Sequence, residues 1–140
     1  MPRMVAKQDS VVSVETTAAK LPEGVLAIDA LEPESQNGCT VFVHYNGPTD
    51  QLSGVCTGMA VLEPGASPHP VHQHPEEEFL IIAAGAGEIE CDGKTTAVGP
   101  GAIMYCAGNT PHGIVNTGKV PLTFYWSKWM ARSASITSNT

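Results

Sequence analysis

The chain has 140 residues, of which 14 are acidic and 7 are basic, so its net charge is -7. This length is enough for one domain with its own hydrophobic core. The acidic balance argues against a protein that binds nucleic-acid backbones or anionic membrane surfaces. No apolar stretch is long enough for a signal peptide behind the first residues or for a membrane-spanning helix. We therefore expect a cytoplasmic protein.

The first 24 residues differ from the rest of the chain in composition. They are mostly polar and β-branched, and only the segment 11–17 offers a strand. This segment predicts either a frayed arm or a strand added to the edge of a partner subunit. We accordingly divide the chain into an N-terminal arm (1–24), a barrel-like domain (25–131) and a C-terminal tail (132–140), and expect a homodimer.

From residue 25 onwards, short apolar runs alternate with turn residues, a pattern typical of β-strands and without a helical period. Asp92-Gly93 between two alternating runs predicts a two-residue hairpin. Many short strands at this spacing favour an all-β sandwich or barrel. The predicted strands include residues 25–31, 39–45, 55–62, 88–91, 94–98, 102–106, 112–116 and 122–130.

The cysteines give no sign of a metal or redox motif. Cys39, Cys56, Cys91 and Cys106 are far apart in the chain and form no CxxC pair. We expect reduced thiols that pack in the core.

One segment of the chain is rich in histidine. His69, His72 and His74 lie within six residues and are followed by three glutamates, Glu76 to Glu78. In an extended strand the side chains of His72, His74, Glu76 and Glu78 would all point to the same face. His112 opens a later strand and can meet them across a barrel.

Such a group of side chains suits a transition metal. Imidazole and carboxylate ligands favour iron, manganese, nickel, cobalt, copper or zinc over calcium. Three histidines and one glutamate would leave about two positions open on an octahedral ion, as in catalytic rather than structural sites.

The spacing of these residues also resembles a known family. His72-x-His74-x-x-x-Glu78, then six residues before Gly85, then Gly101 and Pro111-His112-x-x-x-Asn116, is similar to the two signature motifs of the cupin superfamily. The resemblance covers residues 55–130. It implies a double-stranded β-helix, or jelly-roll barrel, with one divalent metal ion near its centre. The metal ligands that it implies are His72, His74, Glu78 and His112.

Two alternatives accompany this interpretation. The four side chains could form a hydrogen-bonded polar cluster without metal. His69 is predicted to be a loop residue at the cavity rim, with a substrate contact or a further ligand as the alternative. Glu76 and Glu77 are predicted to be solvated or bonded to the ligand histidines. We predict that Asn116 fixes a turn or a strand contact. By alternation, residues that line the cavity or, as the alternative for each, pack in the core are Met59, Val61, Phe79, Ile81, Tyr105, Ile114, Phe124 and Trp126.

The predicted function is that of a metal-dependent enzyme acting on a small organic molecule. Substrate oxygens would take the open metal positions, and Glu78 could leave the metal to act as the catalytic base. Dioxygenase, isomerase, cyclase and decarboxylase chemistry all fit, and we favour a dioxygenase because the ligand set resembles that of dioxygenase cupins. The alternative is a barrel that binds a small ligand without turnover. Because Lys94, Lys119 and Lys128 are placed in a hairpin or beside the last strand, a phosphate-rich substrate is not expected.

Overall fold

A computed structural model describes residues 19–133, and apart from one short 3-10 helix at Ile28–Ala30 their regular structure is all β. The nine strands of this part of the chain are β1 (Glu34–Gln36), β2 (Cys39–Gly47), β3 (Leu52–Leu62), β4 (Glu77–Ala84), β5 (Gly87–Cys91), β6 (Lys94–Val98), β7 (Ile103–Cys106), β8 (His112–Val115) and β9 (Leu122–Ala131).

The strands form two antiparallel sheets. The larger sheet has six strands in the order β1-β2-β3-β9-β4-β7, and the smaller has three in the order β6-β5-β8. Leu80 and Trp126 of the larger sheet and Ile89 and Ile114 of the smaller belong to one cluster of buried residues. The predicted jelly-roll β-barrel is therefore confirmed, with the core between the sheets.

Strand β9 shows how the alternating sequence builds this core. Leu122, Phe124, Trp126 and Lys128 are all buried, and Tyr125 between them is exposed. A period of two is expected for a strand with one face on the core and one towards solvent.

Gly58 in β3 makes room for one of these side chains. A Cβ atom at this position would lie 2.1 Å from the carbonyl oxygen of Phe42 and 2.6 Å from the Trp126 ring. Both distances are far shorter than van der Waals contact, so only glycine lets the indole lie across β3.

The predicted hairpin is confirmed. Asp92 has φ 53° and Gly93 has φ 82°, and Cys91 pairs with Lys94 on either side of them. Two successive residues with positive φ are those of a type I′ turn, whose twist matches that of the flanking strands.

The strand predicted over residues 25–31 is wrong. Val25, Leu26 and Ile28 are exposed, Val25 to 96%. The backbone N–H groups of Ala30 and Leu31 donate to the carbonyls of Ala27 and Ile28. Because these hydrogen bonds are made locally, the segment adds no strand to the sheet.

Residues 19–24 run along the loop after β2. The N–H of Leu21 donates to the carbonyl of Pro48 over 2.9 Å, and the Tyr45 hydroxyl donates to the carbonyl of Gly24 over 2.7 Å. The proposed exchanging segment 11–17 and most of the proposed tail lie outside the described residues. Within residues 19–133, no helix has the length and apolarity needed to cross a membrane.

Candidate metal centre

The histidine-rich segment lies in the loop before β4, not on the strand. The strand begins at Glu77, so the prediction that it carries His72 and His74 is wrong. Three prolines, at positions 68, 70 and 75, remove N–H groups that a continuous ladder needs. The alternation of faces nevertheless persists, since His74 and Glu76 are buried and the residues on either side of His74 are exposed.

The backbone joins this loop to the second motif. The N–H of His72 donates to the carbonyl of His112 over 3.0 Å, and the N–H of His112 donates to the carbonyl of His72 over 2.8 Å. This isolated bridge connects the loop before β4 to the first residue of β8. It fixes the positions of two histidines that are distant in sequence.

Three histidines meet at this point. The distances between ring centroids are 5.1 Å for His72 and His74, 4.9 Å for His72 and His112, and 4.8 Å for His74 and His112. One potential ligand nitrogen from each ring lies within 4.8 Å of the others. The three histidines are therefore placed to bind one metal ion.

Glu78 lies beside two of them. Its Oε1 atom is 3.0 Å from Nε2 of His74 and 3.1 Å from Nε2 of His112. Two ligand atoms about 2.1 Å from one ion, at a right angle to each other, would be about 3 Å apart. The spacing between this oxygen and each nitrogen thus matches that of neighbouring ligands on one ion.

The other nitrogens of the two rings define their tautomers. Nδ1 of His112 lies 2.8 Å from the carbonyl oxygen of Thr110, and Nδ1 of His74 lies 3.2 Å from the carbonyl oxygen of Glu76. A carbonyl oxygen only accepts, so each Nδ1 carries the hydrogen. In a neutral ring Nε2 then presents its lone pair to Glu78, and a proton or a metal ion must lie between the two acceptors.

His72 has a ring nitrogen that is not satisfied in the metal-free protein. Its Nδ1 atom is buried and has no hydrogen-bond partner within residues 19–133, and its ring stacks on that of His69 at a centroid distance of 3.6 Å. An unpartnered buried nitrogen destabilises the fold. A cation bound by the cluster is one way to satisfy it, and the donor set as a whole fits a transition metal.

The electrostatics of the cluster differ from one histidine to the next. Burial lowers the pKa of His72 to about 3, helped by the neighbouring imidazoles, so this ring is neutral at pH 7. Burial also acts to lower the pKa of His74, but hydrogen bonds to Glu76 and Glu78 outweigh it and raise the pKa to about 9. In the metal-free protein His74 therefore carries a proton that a metal ion must displace.

Glu78 is an anion over the whole physiological range. Burial acts to raise its pKa, but hydrogen bonds from His112 and His74, with the positive charge of Lys128, lower it to about 2. A buried carboxylate of this kind is available as a ligand for a cation.

Lys128 is a site residue that the sequence analysis missed. It lies within β9 rather than beside it, is 6% exposed and faces the cavity together with Glu78 and the histidines. Glu78 on β4 and Cys56 on β3 are its cross-strand neighbours. The signal was in the sequence, since Lys128 continues the inward row of Leu122, Phe124 and Trp126.

The cavity around these groups has a volume of about 70 Å³. One water molecule needs roughly 10 to 15 Å³ on this scale, so there is room for only a small organic molecule. Its walls are formed by Val41, Ala60, Pro68, His69, His72, His74, Glu78, Leu80, His112, Gly113, Ile114, Phe124, Trp126 and Lys128.

The predicted lining was correct on the later strands and wrong on the earlier ones. Ile114, Phe124 and Trp126 line the cavity as predicted. On β3 and β4 the prediction was one residue out of phase, because Ala60 and Leu80 face the cavity. The residues wrongly predicted to line it are Met59, Val61, Phe79, Ile81 and Tyr105.

The neighbouring polar residues behave largely as the sequence indicated. Glu76 is buried and its Oε1 atom lies 3.2 Å from Nδ1 of His74, whereas Glu77 accepts a hydrogen bond from the Tyr105 hydroxyl. Asn116 donates to the carbonyls of Leu62 and Val120 and accepts from the N–H of Gly118, so it fixes the turn before β9. His69 lines the cavity but is not part of the three-histidine group.

A barrel of two antiparallel sheets with histidines from two separate segments gathered inside it is the arrangement of a cupin. A family model for the cupin domain matches residues 58–128, and the chain belongs to the cupin family. No curated protein sequence matches the chain significantly.

Solved structures share this fold. An RmlC-like cupin from Shewanella frigidimarina NCIMB 400 has a TM-score of 0.67 at 16% identity, covering 82% of this chain and 97% of that chain. A predicted oxalate decarboxylase from Thermotoga maritima has a TM-score of 0.63 at 20% identity, with coverage of 76% and 99%. A sugar phosphate isomerase of the cupin superfamily from Silicibacter pomeroyi DSS-3 has a TM-score of 0.62 at 20% identity, with coverage of 79% and 76%. At these identities the likeness concerns the fold alone.

Proposed function

We propose that this protein is a metal-dependent enzyme that acts on a small organic molecule. His72, His74, Glu78 and His112 would hold one divalent transition-metal ion. The observation that carries the proposal is the position of the Glu78 carboxylate oxygen, 3.0 and 3.1 Å from two Nε2 atoms whose rings are fixed through Nδ1. This arrangement brings the lone pairs of three acceptor atoms close together, and a cation bound between them would relieve their repulsion.

The chemistry divides between the ion and the protein. A divalent ion would polarise substrate oxygens, or activate dioxygen if it is iron. Glu78 lies against the cavity, and once it leaves the ion it is our candidate for the group that takes a proton from the substrate. The apolar walls, among them Leu80, Phe124 and Trp126, limit water around the substrate and strengthen these electrostatic interactions.

Within this class we favour a dioxygenase. Three histidines and one glutamate resemble the ligand set of dioxygenase cupins. The fold is equally that of a predicted oxalate decarboxylase and a sugar phosphate isomerase, so decarboxylation and isomerisation are the competing reactions. Oxygen uptake by the metal-loaded protein, measured across a panel of enols, catechols and diketones, distinguishes them because only the dioxygenase consumes oxygen.

The metal site itself is tested by metal analysis of protein purified without added ions and again after reconstitution. We expect about one transition-metal ion per folded chain. His74→Ala should reduce this to background, while circular dichroism shows the fold retained. His44→Ala is the control, because His44 lies on β2 and does not line the cavity. Stoichiometric metal in the His74 variant, or none in the reconstituted wild type, would contradict the proposal.

A further inference from the structure

Two thiols lie in contact between the two sheets. The Sγ atoms of Cys91 and Cys106 are 3.4 Å apart, and the Cys91 sulfur is also 4.0 Å from the carbonyl oxygen of Tyr105. All four cysteines of the chain are free thiols. The S–S distance in a disulfide is about 2.05 Å, so the two sulfurs need to approach each other by only roughly 1.4 Å to form a bond.

The two thiols differ in their access to solvent. Cys106 is 1% exposed, whereas Cys91 is only partly buried and packs against the core cluster. A small oxidant in solution therefore reaches Cys91 first. A solvent-accessible thiol with a second thiol beside it is typical of redox-sensitive cysteines, because the second thiol completes the disulfide.

The two sulfurs belong to strands of different sheets. Cys91 is the last residue of β5 in the smaller sheet, and Cys106 is the last residue of β7 in the larger one. Cys91 pairs in register with His112, and Cys106 pairs with Glu78. A covalent bond between the two sulfurs would therefore join the two sheets beside two of the proposed metal ligands.

We propose that Cys91 and Cys106 are a redox-active pair that a hydroperoxide converts into a disulfide. The Cys91 thiol loses its proton, its sulfur attacks the terminal oxygen of the peroxide, and the O–O bond breaks. Cys91 then carries a sulfenic acid, and the other oxygen leaves with a proton as an alcohol, or as water when the oxidant is hydrogen peroxide.

Cys106 completes the reaction. Its sulfur attacks the Cys91 sulfur, the S–O bond of the sulfenic acid breaks, and the hydroxyl group leaves as water with the proton of the Cys106 thiol. In total the two thiols lose two electrons and two protons, and the peroxide takes up both. The reaction uses neither the metal ion nor its substrate, so the inference stands apart from the proposed function.

The experiment treats the reduced full-length protein with hydrogen peroxide in the presence of a metal chelator. Free thiols are then counted after unfolding, and disulfide-linked peptides are identified by mass spectrometry. We expect two of the four thiols to be lost, with a fall of about 2 Da in the mass of the single chain and a link between residues 91 and 106. Dithiothreitol should restore all four thiols.

Three variants test the order of the two steps. In Cys106→Ala the sulfenic acid has no partner, so dimedone, which reacts with sulfenic acids, should label Cys91. Cys91→Ala should form neither a disulfide nor a dimedone adduct, because Cys106 is shielded from the oxidant. Cys39→Ala is the matched control, since Cys39 is also buried but lies on β2, separated from β7 by β3, β9 and β4. This control should form the disulfide as wild type does.

The proposal is overturned if wild type retains four free thiols after treatment, or if the disulfide joins two chains or includes Cys39 or Cys56. Dimedone labelling of Cys106 in Cys91→Ala would contradict the role of Cys91 as the thiol that reacts first. Circular dichroism before oxidation shows whether each variant folds. Should Cys106→Ala not fold, the mapped disulfide of wild type and the behaviour of Cys91→Ala still decide.

Discussion

Neighbouring side chains in the histidine cluster have pKa values that are shifted in opposite directions. The pKa of His74 is raised from 6.5 to about 9, that of His72 is lowered to about 3 and that of Glu78 is lowered from 4.5 to about 2. Burial lowers the pKa of His72, and the neighbouring imidazoles add to this effect. Burial opposes the shifts of His74 and Glu78, but the hydrogen bonds between these side chains and their neighbours outweigh it. Each shift makes the stability of the metal-free protein depend on pH.

Whether stability rises or falls with pH depends on which state, folded or unfolded, binds each proton more tightly. Between pH 6.5 and about 9 the folded protein retains a proton on His74 that the unfolded chain has lost, so this stabilisation disappears as the pH rises through that window. Below pH 6.5 the unfolded chain protonates His72 first, and below pH 4.5 it protonates Glu78 first, so stability falls as the pH falls. We expect these three groups together to give a maximum near pH 6.5.

Urea denaturation of the metal-free protein across pH 4 to 9 measures this curve. In His74→Ala the decline between pH 6.5 and 9 should become shallower, since its main source is removed. A decline of the same slope in the variant would show that other groups cause it.

Gly58 in β3 leaves space for the ring of Trp126, which forms part of the cavity wall. A side chain there would collide with the backbone of Phe42 and with the ring of Trp126, which lines the cavity. Gly58→Ala should lower the free energy of unfolding by about 2 kcal/mol, because backbone atoms cannot move aside cheaply. Urea denaturation checks this value.

Gly99→Ala serves as the control for that prediction. No atom of the described part of the chain, residues 19–133, lies within 4 Å of the position that its Cβ would occupy, and its φ is not in the left-handed region. The variant should be as stable as wild type. Equal stability of both variants would mean that β3 can shift away from Trp126.

At the level of strands, the sequence predicted most of the barrel because burial on one face imposes a period of two. The hairpin at Asp92-Gly93 was predictable because few residues accept two positive φ values. The run 25–31 failed because hydrophobicity alone does not supply a neighbouring strand to pair with. Spacing alone predicts that His72 lies on a strand. The flanking prolines lack the N–H groups that a continuous ladder needs, so no strand forms there.

The candidate site was only partly predictable for a related reason. A spaced motif reveals residues of the types that bind metal, and those residues do meet. Lys128 belongs to no such motif, and its position beside Glu78 follows only from the register between β4 and β9. Sequence order does not show which strands become neighbours across a barrel.

At the scale of the molecule, apolar side chains are exposed on the outer face of the larger sheet. Phe79 is 41% exposed and Tyr105 is 51% exposed, and their rings lie 5.6 Å apart. We propose a homodimer, and the N-terminal segment 11–17 is our candidate for a strand that exchanges between subunits.

Sedimentation of wild type and of a variant lacking residues 1–20 tests this assembly. Wild type should sediment as a dimer and the shortened protein as a monomer. A dimer that persists after the deletion would remove the arm from the interface and leave the outer sheet face as the surface to test with Phe79→Ser. A wild-type monomer would contradict the homodimer itself.

The reciprocal hydrogen bonds between His72 and His112 have a kinetic consequence for an ion held beside them. Ligands from the loop and from β8 would bind the same ion. The ion would then dissociate when the loop separates from β8. Its release would then require local opening, and its residence time would follow the frequency of that opening rather than the strength of any single ligand bond. The two backbone hydrogen bonds would thus slow the dissociation of the metal ion.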